Sequence, residues 1–215
     1  MIMVYNVKGE LMRLKHITDS DNIIEKSPYL VTDKYEHIGL WNKVFKNDNP
    51  IEIEIGMGKG DFIISKAEKN KNKNFIGIEK YSSILIYAVK KLDNLKLNNL
   101  KIICMDAIEV DKVFNKEISK IYLNFSDPWP KRKHIRRRLT SEVYLEKYMN
   151  ITKNKLRIEL KTDNDLLFEY SLKSFKDNNF KINKFSNNYK SRYRTEYENK
   201  FISKGKNINY INVEK

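Results

Sequence analysis

Cysteine, histidine, proline and glycine are scarce in this chain of 215 residues. Cys104 is the only cysteine, so no internal disulfide can form, which is typical of proteins in a reducing compartment. The three histidines, His16, His37 and His134, are too scattered for a zinc cluster, so we expect no metal site. No stretch approaches the roughly 18 consecutive apolar residues that span a bilayer. We therefore expect a cytoplasmic protein with no membrane partner.

The length of 215 residues is sufficient for one folded domain of ordinary to large size. Hydrophobic residues make up 40% of the chain and aromatic residues 12%, enough apolar surface to offset the entropy lost on ordering. The net charge is +14, from 42 lysines and arginines against 28 aspartates and glutamates. This excess indicates a polyanionic partner such as nucleic acid, although a general lysine surplus spread over a solvated surface would give the same total.

The arginines are few but clustered. Only eight occur, yet Arg132 and residues 136–138 fall within seven positions, and Arg192 and Arg194 lie together near the C-terminus. Guanidinium groups suit bidentate contacts with phosphates, which a general lysine surplus does not supply.

From residue 51 onward, strand patterns alternate with helix patterns. Strands are predicted at 51–56, 75–79, 101–107, 120–127, 156–163, 180–185 and 208–213, and helices at 61–69, 81–92, 107–114, 141–149, 165–175 and 195–204. This alternation predicts an α/β fold with a doubly wound, mostly parallel seven-stranded sheet and helices on both faces. We expect Thr140 to cap the helix at 141–149, with Leu139 and Tyr144 forming a hydrophobic staple.

The beginning of the chain lacks this pattern. We predict an N-terminal extension over residues 1–40 that packs only in part and is partly mobile, followed by a single domain over residues 41–215. Met12 opens MRLKH, a plausible alternative translation start, so the first eleven residues are expected to be dispensable or mobile.

A glycine-rich turn follows the first predicted strand. The segment EIGMGKG (54–60) holds three of the seven glycines in the chain. A tight turn that needs positive φ accounts for one glycine more easily than for three, so we expect a ligand to approach the backbone here. Asp61 stands where a dinucleotide fingerprint would have its third glycine, which disfavours an NAD-dependent oxidoreductase.

Carboxylates end three successive predicted strands: Glu54, Glu79 and Asp106. Glu79 is placed to accept hydrogen bonds from the hydroxyls of a ribose, although each carboxylate alone could be a surface group or a helix cap. Together they would form an anionic rim at the sheet edge where ligands bind. Such a rim favours a cationic nucleoside cofactor, S-adenosylmethionine, over one that carries a pyrophosphate.

Two of the four prolines bracket Trp129 in the segment NFSDPWPK (124–131). Proline fixes φ and restricts the residue before it, so Asp127 and Trp129 are expected in a stiff loop that positions a reactant. The alternative is a structural turn with Trp129 packed on the sheet.

The basic segment KRKHIRRR (131–138) follows, and it is either a solvated loop or a phosphate-binding surface for RNA. Asp163 could cap the next helix or contact substrate.

In this order and spacing, EIGMGKG, GIE, Asp106, YLNFSDPWPK, RRRLT, KTDN and TEYE resemble the bacterial tRNA (guanine-N7)-methyltransferase family, from about Trp41 to the C-terminus. The resemblance implies a Rossmann-like class I methyltransferase fold. It also implies methyl transfer from S-adenosylmethionine to N7 of guanine 46 in the variable loop of tRNA. The first forty residues depart from the family pattern beyond MRLKH.

The resemblance also implies roles for individual residues. The implied cofactor contacts are Glu54, Gly56, Glu79, Asp106 and Asp127, and Asp127 is also the implied catalytic residue. The implied tRNA contacts are Lys131, Arg132, Arg136, Asp163, Thr195, Glu196, Tyr197 and Glu198.

Two other functions stay open on the residues alone. An RNA exocyclic-amine methyltransferase would use a similar loop, and a basic RNA-binding protein could retain a methyltransferase scaffold without activity. The sequence leaves open whether the protein is a monomer or a homodimer.

Overall fold

A computed structural model describes residues 3–5, 11–13 and 17–215 of the chain. The strands are β1 (Met3–Tyr5), β2 (Leu11–Arg13), β3 (Ile51–Ile55), β4 (Asn74–Glu79), β5 (Leu100–Cys104), β6 (Ile118–Asn124), β7 (Arg157–Thr162), β8 (Lys181–Ser186) and β9 (Asn209–Glu214). The α-helices are α1 (Ser20–Glu25), α2 (Trp41–Phe45), α3 (Asp61–Lys69), α4 (Ser82–Leu92), α5 (Glu142–Ile151), α6 (Asp165–Asp177) and α7 (Glu196–Ile202), and 3₁₀ helices occupy Lys34–His37, Ala107–Lys112 and Arg132–Arg137. Within these ranges, no helix has both the length and the apolar character needed to cross a membrane.

Strands β3 to β9 form one seven-stranded sheet in the order β5-β4-β3-β6-β7-β9-β8. Its pairs are parallel except those of β9, which runs antiparallel to both β7 and β8. The predicted doubly wound fold is therefore confirmed. The strand order reverses between β3 and β6, so the crevice beyond the carboxyl ends of these strands is where this architecture binds ligands.

The two faces of the sheet differ in character. On one face, isoleucines such as Ile53 and Ile121 form the larger apolar core with α2, α5 and α6. On the other, α3 and α4 bury Phe75 and Leu100 over β4 and β5. The rest of this second face carries buried polar side chains on β3, β6 and β7, and we call it the polar half-face. Its main members are Glu52, Glu54, Tyr122, Asn124 and Lys161.

Part of the predicted N-terminal extension packs against the sheet. Leu30 forms an isolated parallel bridge with Ile102 at the edge strand β5. Trp41, the first residue after the predicted boundary, is fully buried, and its indole N–H donates a hydrogen bond of 2.9 Å to the Val113 carbonyl. The predicted boundary at residue 40 stays a prediction, and the expectation for the first eleven residues falls mostly outside the described residues.

The predicted cap of α5 is wrong by one residue. Ser141 is the N-cap, without a side-chain capping bond, and its hydroxyl donates instead to the Arg136 carbonyl. Thr140 is drawn into the interior, where its hydroxyl lies 2.8 Å from that of Ser171 and its carbonyl accepts from Ser174. Because Ser141 is the N-cap, Leu139 and Tyr144 do not occupy the two positions that a hydrophobic staple requires, so the predicted staple is also displaced by one residue.

Candidate functional site at the carboxyl edge of the sheet

The glycine turn after β3 requires all three of its glycines. Gly56, Gly58 and Gly60 have φ values of 74°, 55° and 80°, a region that other L-residues rarely adopt. The expectation that a turn would explain only one glycine is therefore wrong. A Cβ on Gly56 or Gly58 would nevertheless meet nothing within 4 Å. The outer side of this turn is open, so a ligand can approach its backbone.

Glu79, the last residue of β4, holds the glycine turn in place. Its carboxylate accepts hydrogen bonds from the backbone N–H of Gly58 at 3.0 Å, Lys80 at 2.8 Å and Tyr81 at 3.1 Å. Burial raises the pKa of Glu79 in spite of these donors. A carboxylate offers about four acceptor positions, so one remains for a ligand. The expected ribose contact stays a prediction.

Glu54 on β3 is buried and only half satisfied. One carboxylate oxygen accepts from the Asn124 side chain at 2.7 Å, and the other has no hydrogen-bond partner among the described residues. Burial raises the pKa of Glu54 to about 8, against the opposing effect of the Asn124 hydrogen bond. A buried oxygen without a partner costs free energy, so this site favours a ligand that brings a donor or a positive charge.

Glu54→Gln is expected to change how stability depends on pH. Between about pH 4.5 and pH 8 the folded protein holds a proton on Glu54 that the unfolded chain has released, so stability falls as pH rises. The glutamine variant lacks this linkage. We expect the melting temperature of the ligand-free variant to rise relative to the parent protein between pH 5 and pH 8. A constant difference across this range would contradict the burial of an ionisable group at this position.

The third carboxylate, Asp106, lies two residues beyond β5. It pairs with the Lys80 ammonium at 2.7 Å and caps the following 3₁₀ helix by accepting from the Ile108 N–H. Burial works against ionisation, but these two donors hold the pKa of Asp106 below its ordinary value. Both roles considered for this residue, a cap and a site at the sheet edge, are therefore compatible with its position.

Tyr81 lies close to three of the carboxylates, and sequence reasoning missed it. Burial raises the pKa of its phenol, and the charges of Asp127, Glu79 and Asp106 raise it further. The pattern analysis treated this residue only as the start of α4, and no motif marked it. The carboxylates that follow β4, β5 and β6 therefore lie close enough to act on one phenol. In the part of the chain that the structure describes, no group of three His, Cys, Asp or Glu side chains is arranged to hold a metal ion.

The loop after β6 is conformationally strained around Asp127. Phe125 and Trp129 have φ values of 53° and 41°, positions that cost roughly 1–3 kcal/mol each and are often found at functional sites. Arg138 holds this loop, because its Nε donates to the Pro128 carbonyl at 2.9 Å and its Nη2 to the Trp129 carbonyl at 3.2 Å. Asp127 is half-buried, and burial raises its pKa.

Arg138→Gln is expected to loosen this loop. Loss of the two charge-assisted hydrogen bonds to Pro128 and Trp129 should lower the free energy of unfolding by about 1–3 kcal/mol, because both carbonyls lose their donor. Thermal or denaturant unfolding measures this effect. Arg157→Gln, which removes an exposed arginine at the start of β7, is the matched control. Equal stability of the two variants would show that Arg138 does not hold the loop.

The basic segment 131–138 divides into exposed and buried parts. Lys131, Arg132 and Arg136 are exposed, as an RNA-facing surface requires. Trp129 lies against this segment, with the Arg137 guanidinium 5.0 Å from the centre of its ring. Arg138 is buried and lies 4.3 Å above the Tyr170 ring, so it belongs to the interior.

The segment TEYE at the start of α7 has more partners within the chain than its sequence indicated. Thr195 caps α7 by accepting from the Glu198 N–H, and Glu196 pairs with Lys59 of the glycine turn at 2.8 Å. Glu198 is fully buried and pairs with Lys161 at 2.6 Å. Tyr197 is exposed, and burial of part of its ring together with the charges of Glu196 and Asp127 raises its pKa. Contact of these four residues with tRNA stays a prediction.

Asp163 does not cap α6. Asn164 is the N-cap and accepts a hydrogen bond from the Leu167 N–H at 2.8 Å. Asp163 follows β7 at the same sheet edge, 3.7 Å from the Lys206 ammonium, and burial raises its pKa. The predicted helix cap is therefore wrong, and substrate contact by Asp163 stays a prediction.

Comparisons with known proteins match most of this chain to methyltransferases. A family model described as "Putative methyltransferase" matches residues 48–211. A tRNA (guanine-N(7)-)-methyltransferase of Bacillus velezensis is 41% identical over 210 residues, which cover 94% of this chain and 97% of that protein. A protein of the same name from Malacoplasma penetrans is 44% identical over 207 residues, covering 92% of this chain and 94% of its own.

Solved structures resemble the chain in fold. The 16S rRNA methyltransferase KamB has a TM-score of 0.63 at 10% identity, over 82% of this chain and 92% of its own. A SAM-dependent methyltransferase from Aquifex aeolicus has a TM-score of 0.55 at 10% identity, over 92% of this chain and 99% of its own. At such low identity the likeness concerns the fold alone.

Proposed function

The chain belongs to the tRNA (guanine-N7)-methyltransferase family, and on that premise we propose that it methylates N7 of guanine 46 in the variable loop of tRNA, with S-adenosylmethionine as donor, in the cytoplasm. One observation carries the choice of donor. Glu79 holds the glycine turn, Glu54 and Asp106 lie near the carboxyl ends of the neighbouring strands, and a buried Glu54 oxygen lacks a partner among the described residues.

These residues fit a nucleoside that carries two positive groups. Glu54 would accept a hydrogen bond from an ammonium, Glu79 from a ribose hydroxyl and Asp106 from an adenine amino group. The open space beside the Gly56 backbone leaves room for the part of the cofactor that links its ammonium group to its ribose. When bound, S-adenosylmethionine supplies a methyl group on a sulfonium. A cation bound beside Glu54 would lower the pKa of this buried carboxyl, and the ionised group would then attract the donor strongly because water is excluded there.

Asp127 would orient the guanine. Guanine N7 carries a lone pair, so it needs no deprotonation before it attacks, and positioning can supply much of the acceleration. We place the guanine N1–H and amino group as donors to the Asp127 carboxylate, which turns N7 towards the methyl donor. The same carboxylate stabilises positive charge as it spreads into the ring.

The tRNA would be held by the residues around this loop. Lys131, Arg132 and Arg136 are exposed directly after the Asp127 loop and suit phosphate contacts. Asp163 and Tyr197 border the same edge. Reaching N7 in folded tRNA requires the base to leave its tertiary contacts, at a cost of a few kcal/mol that backbone binding has to offset.

Calorimetric titration with S-adenosylmethionine, followed by methyl transfer from labelled donor to an unmodified tRNA transcript, tests this function. We expect stoichiometric donor binding, weaker binding by Glu54→Gln, and label in the tRNA but not in a transcript with adenosine at position 46. Absence of donor binding would favour the RNA-binding protein without activity. Equal labelling of both transcripts would refute the proposed position.

A further inference from the structure

A connecting segment between β8 and α7 alternates between inward and outward side chains. We call residues 189–195 the strap. Tyr189, Ser191, Tyr193 and Thr195 are partly buried, whereas Lys190, Arg192 and Arg194 between them are exposed. Every second residue of the strap is therefore a cation that faces solvent.

The inward residues fix the strap to the polar half-face. Tyr189 stacks on Tyr210 with ring centres 4.0 Å apart. Lys161 donates to the Tyr193 carbonyl at 3.0 Å, and the Tyr193 ring lies edge-on to Phe62 of α3. These contacts hold the backbone, so the outward side chains project from a supported surface.

The outward cations have no acidic partner among the described residues. The ion pairs found there include none with Lys190, Arg192 or Arg194, although acidic groups pair with lysines elsewhere on the surface. Lys69 of α3 lies 5.5 Å from the Tyr193 ring and adds a fourth exposed positive charge. The Arg192 guanidinium also lies 5.7 Å from the Tyr193 ring, which leaves its charge without an acidic partner among the described residues. A row of cations that no carboxylate neutralises is the electrostatic pattern of a phosphate-binding surface.

The strap reaches the candidate site at its C-terminal end, across the face of the sheet opposite to the one that α5 covers. The basic segment 131–137 leads into α5, which packs on the larger apolar core. The strap crosses the other face of the sheet, against α3, and ends at Thr195, the cap of α7. Glu196 then pairs with Lys59 of the glycine turn. Asp127, which precedes the segment 131–137, lies close enough to Tyr197, which follows the strap, to raise the pKa of that phenol, so the two basic segments approach the site from different faces of the sheet.

From this placement we infer that the strap is a second RNA-backbone contact, in which Lys190, Arg192 and Arg194 bind tRNA phosphates on the far side of the target nucleotide from residues 131–137. The inference rests on the proposed function, because the occupant is the same tRNA. It adds a binding surface outside the TEYE segment and the basic segment 131–137. Two contacts on opposite sides would anchor the RNA while the base between them is displaced.

The test measures the salt dependence of tRNA affinity. The triple variant Lys190→Gln, Arg192→Gln, Arg194→Gln should bind unmodified tRNA at least tenfold more weakly at about 0.1 M salt. The slope of log affinity against log salt should fall in magnitude by about 2–3, because each of the three lost phosphate contacts removes nearly one released counterion. Affinity for S-adenosylmethionine should stay unchanged.

A matched triple variant controls for net charge. Lys96, Lys153 and Lys176 are exposed and lie at the amino-terminal edge of the sheet, the first two in loops and Lys176 in the last turn of α6. Their replacement by glutamine removes the same total charge and should leave the salt slope close to that of the parent protein. The double variant Arg192→Lys, Arg194→Lys keeps the positive charge, so it should retain most of the tRNA affinity of the parent protein.

The outcomes separate this inference from the proposed function. If the strap variant binds tRNA as tightly as the lysine control while both methylate it, the strap inference is wrong and the proposed function stands. If the parent protein neither binds nor methylates tRNA, the proposed function fails and the inference fails with it. Hydroxyl-radical footprinting gives a second readout, in which the strap variant should lose protection of a tRNA stretch that the lysine control still protects.

Discussion

Asp127→Asn is expected to lower kcat for tRNA methylation by about 100-fold, because the carboxylate stabilises the positive charge that develops on the guanine. Asparagine has nearly the same shape but no charge, and its NH₂ group presents donors where the guanine also presents donors. Asp127 is half-buried in a loop held by Arg138, so a replacement of similar size should leave the fold intact. Single-turnover methyl transfer with saturating tRNA and S-adenosylmethionine measures the effect on the chemical step.

The control for this variant is Asp93→Asn, which changes an exposed aspartate at the end of α4. It should transfer methyl groups as the parent protein does. A fall of less than about tenfold in Asp127→Asn, equivalent to roughly 1.4 kcal/mol, would contradict the role given to Asp127. As the pH is lowered, protonation of Asp127 should reduce the rate of the parent protein. Because burial raises the pKa of Asp127, this loss should begin at a higher pH than for an ordinary aspartate, and the asparagine variant should lack it.

Glu198→Gln is expected to destabilise the folded protein by about 3–5 kcal/mol, because it leaves the Lys161 ammonium buried without its counter-charge. The Lys161 side chain is 4% exposed and that of Glu198 is fully buried, with 2.6 Å between the charged atoms. For a chain of this length the melting temperature should fall by about 10 °C. The pair joins β7 to α7, so the loss should also weaken tRNA binding by loosening Glu196 and Tyr197.

Two further variants test whether the loss of stability comes from the ion pair or from any replacement of a glutamate by glutamine. Glu146→Gln, on the exposed face of α5, should melt with the parent protein. The double variant Lys161→Met, Glu198→Leu removes both charges and should recover most of the stability, because neither partner is left buried alone. A Glu198→Gln protein that melts within about 2 °C of the parent would show that the pair contributes little.

The position of the carboxylates could be predicted because it follows from strand periodicity alone. Glu54, Glu79 and Asp106 each lie at or just after the end of a strand, and parallel strands bring their carboxyl ends to one edge. The strand bounds agree with the sequence patterns to within about three residues. The prolines around Trp129 likewise indicated a stiff loop, and the positive φ values at Phe125 and Trp129 agree with it.

The polar half-face could not be predicted, because its contacts join residues far apart in the chain. The alternation in IEIEI is typical of a strand with one exposed face, yet all five residues of β3 are buried. Glu52 is covered because it accepts from Tyr122 and pairs with Lys73, and Glu54 because it meets Asn124. No local pattern encodes these partners. The same holds for Glu198, which the TEYE motif assigned to tRNA and which the fold places beside Lys161.

The most direct measurement is chemical mapping of the methylated nucleotide. Unmodified tRNA is incubated with the protein and S-adenosylmethionine, reduced mildly, and treated with aniline, which cleaves the chain at N7-methylguanosine. We predict a single new cleavage at guanosine 46 that depends on both protein and donor. Methylated tRNA that stays intact under this treatment would assign the methyl group to another atom, such as an exocyclic amine, and would contradict the function proposed for this site.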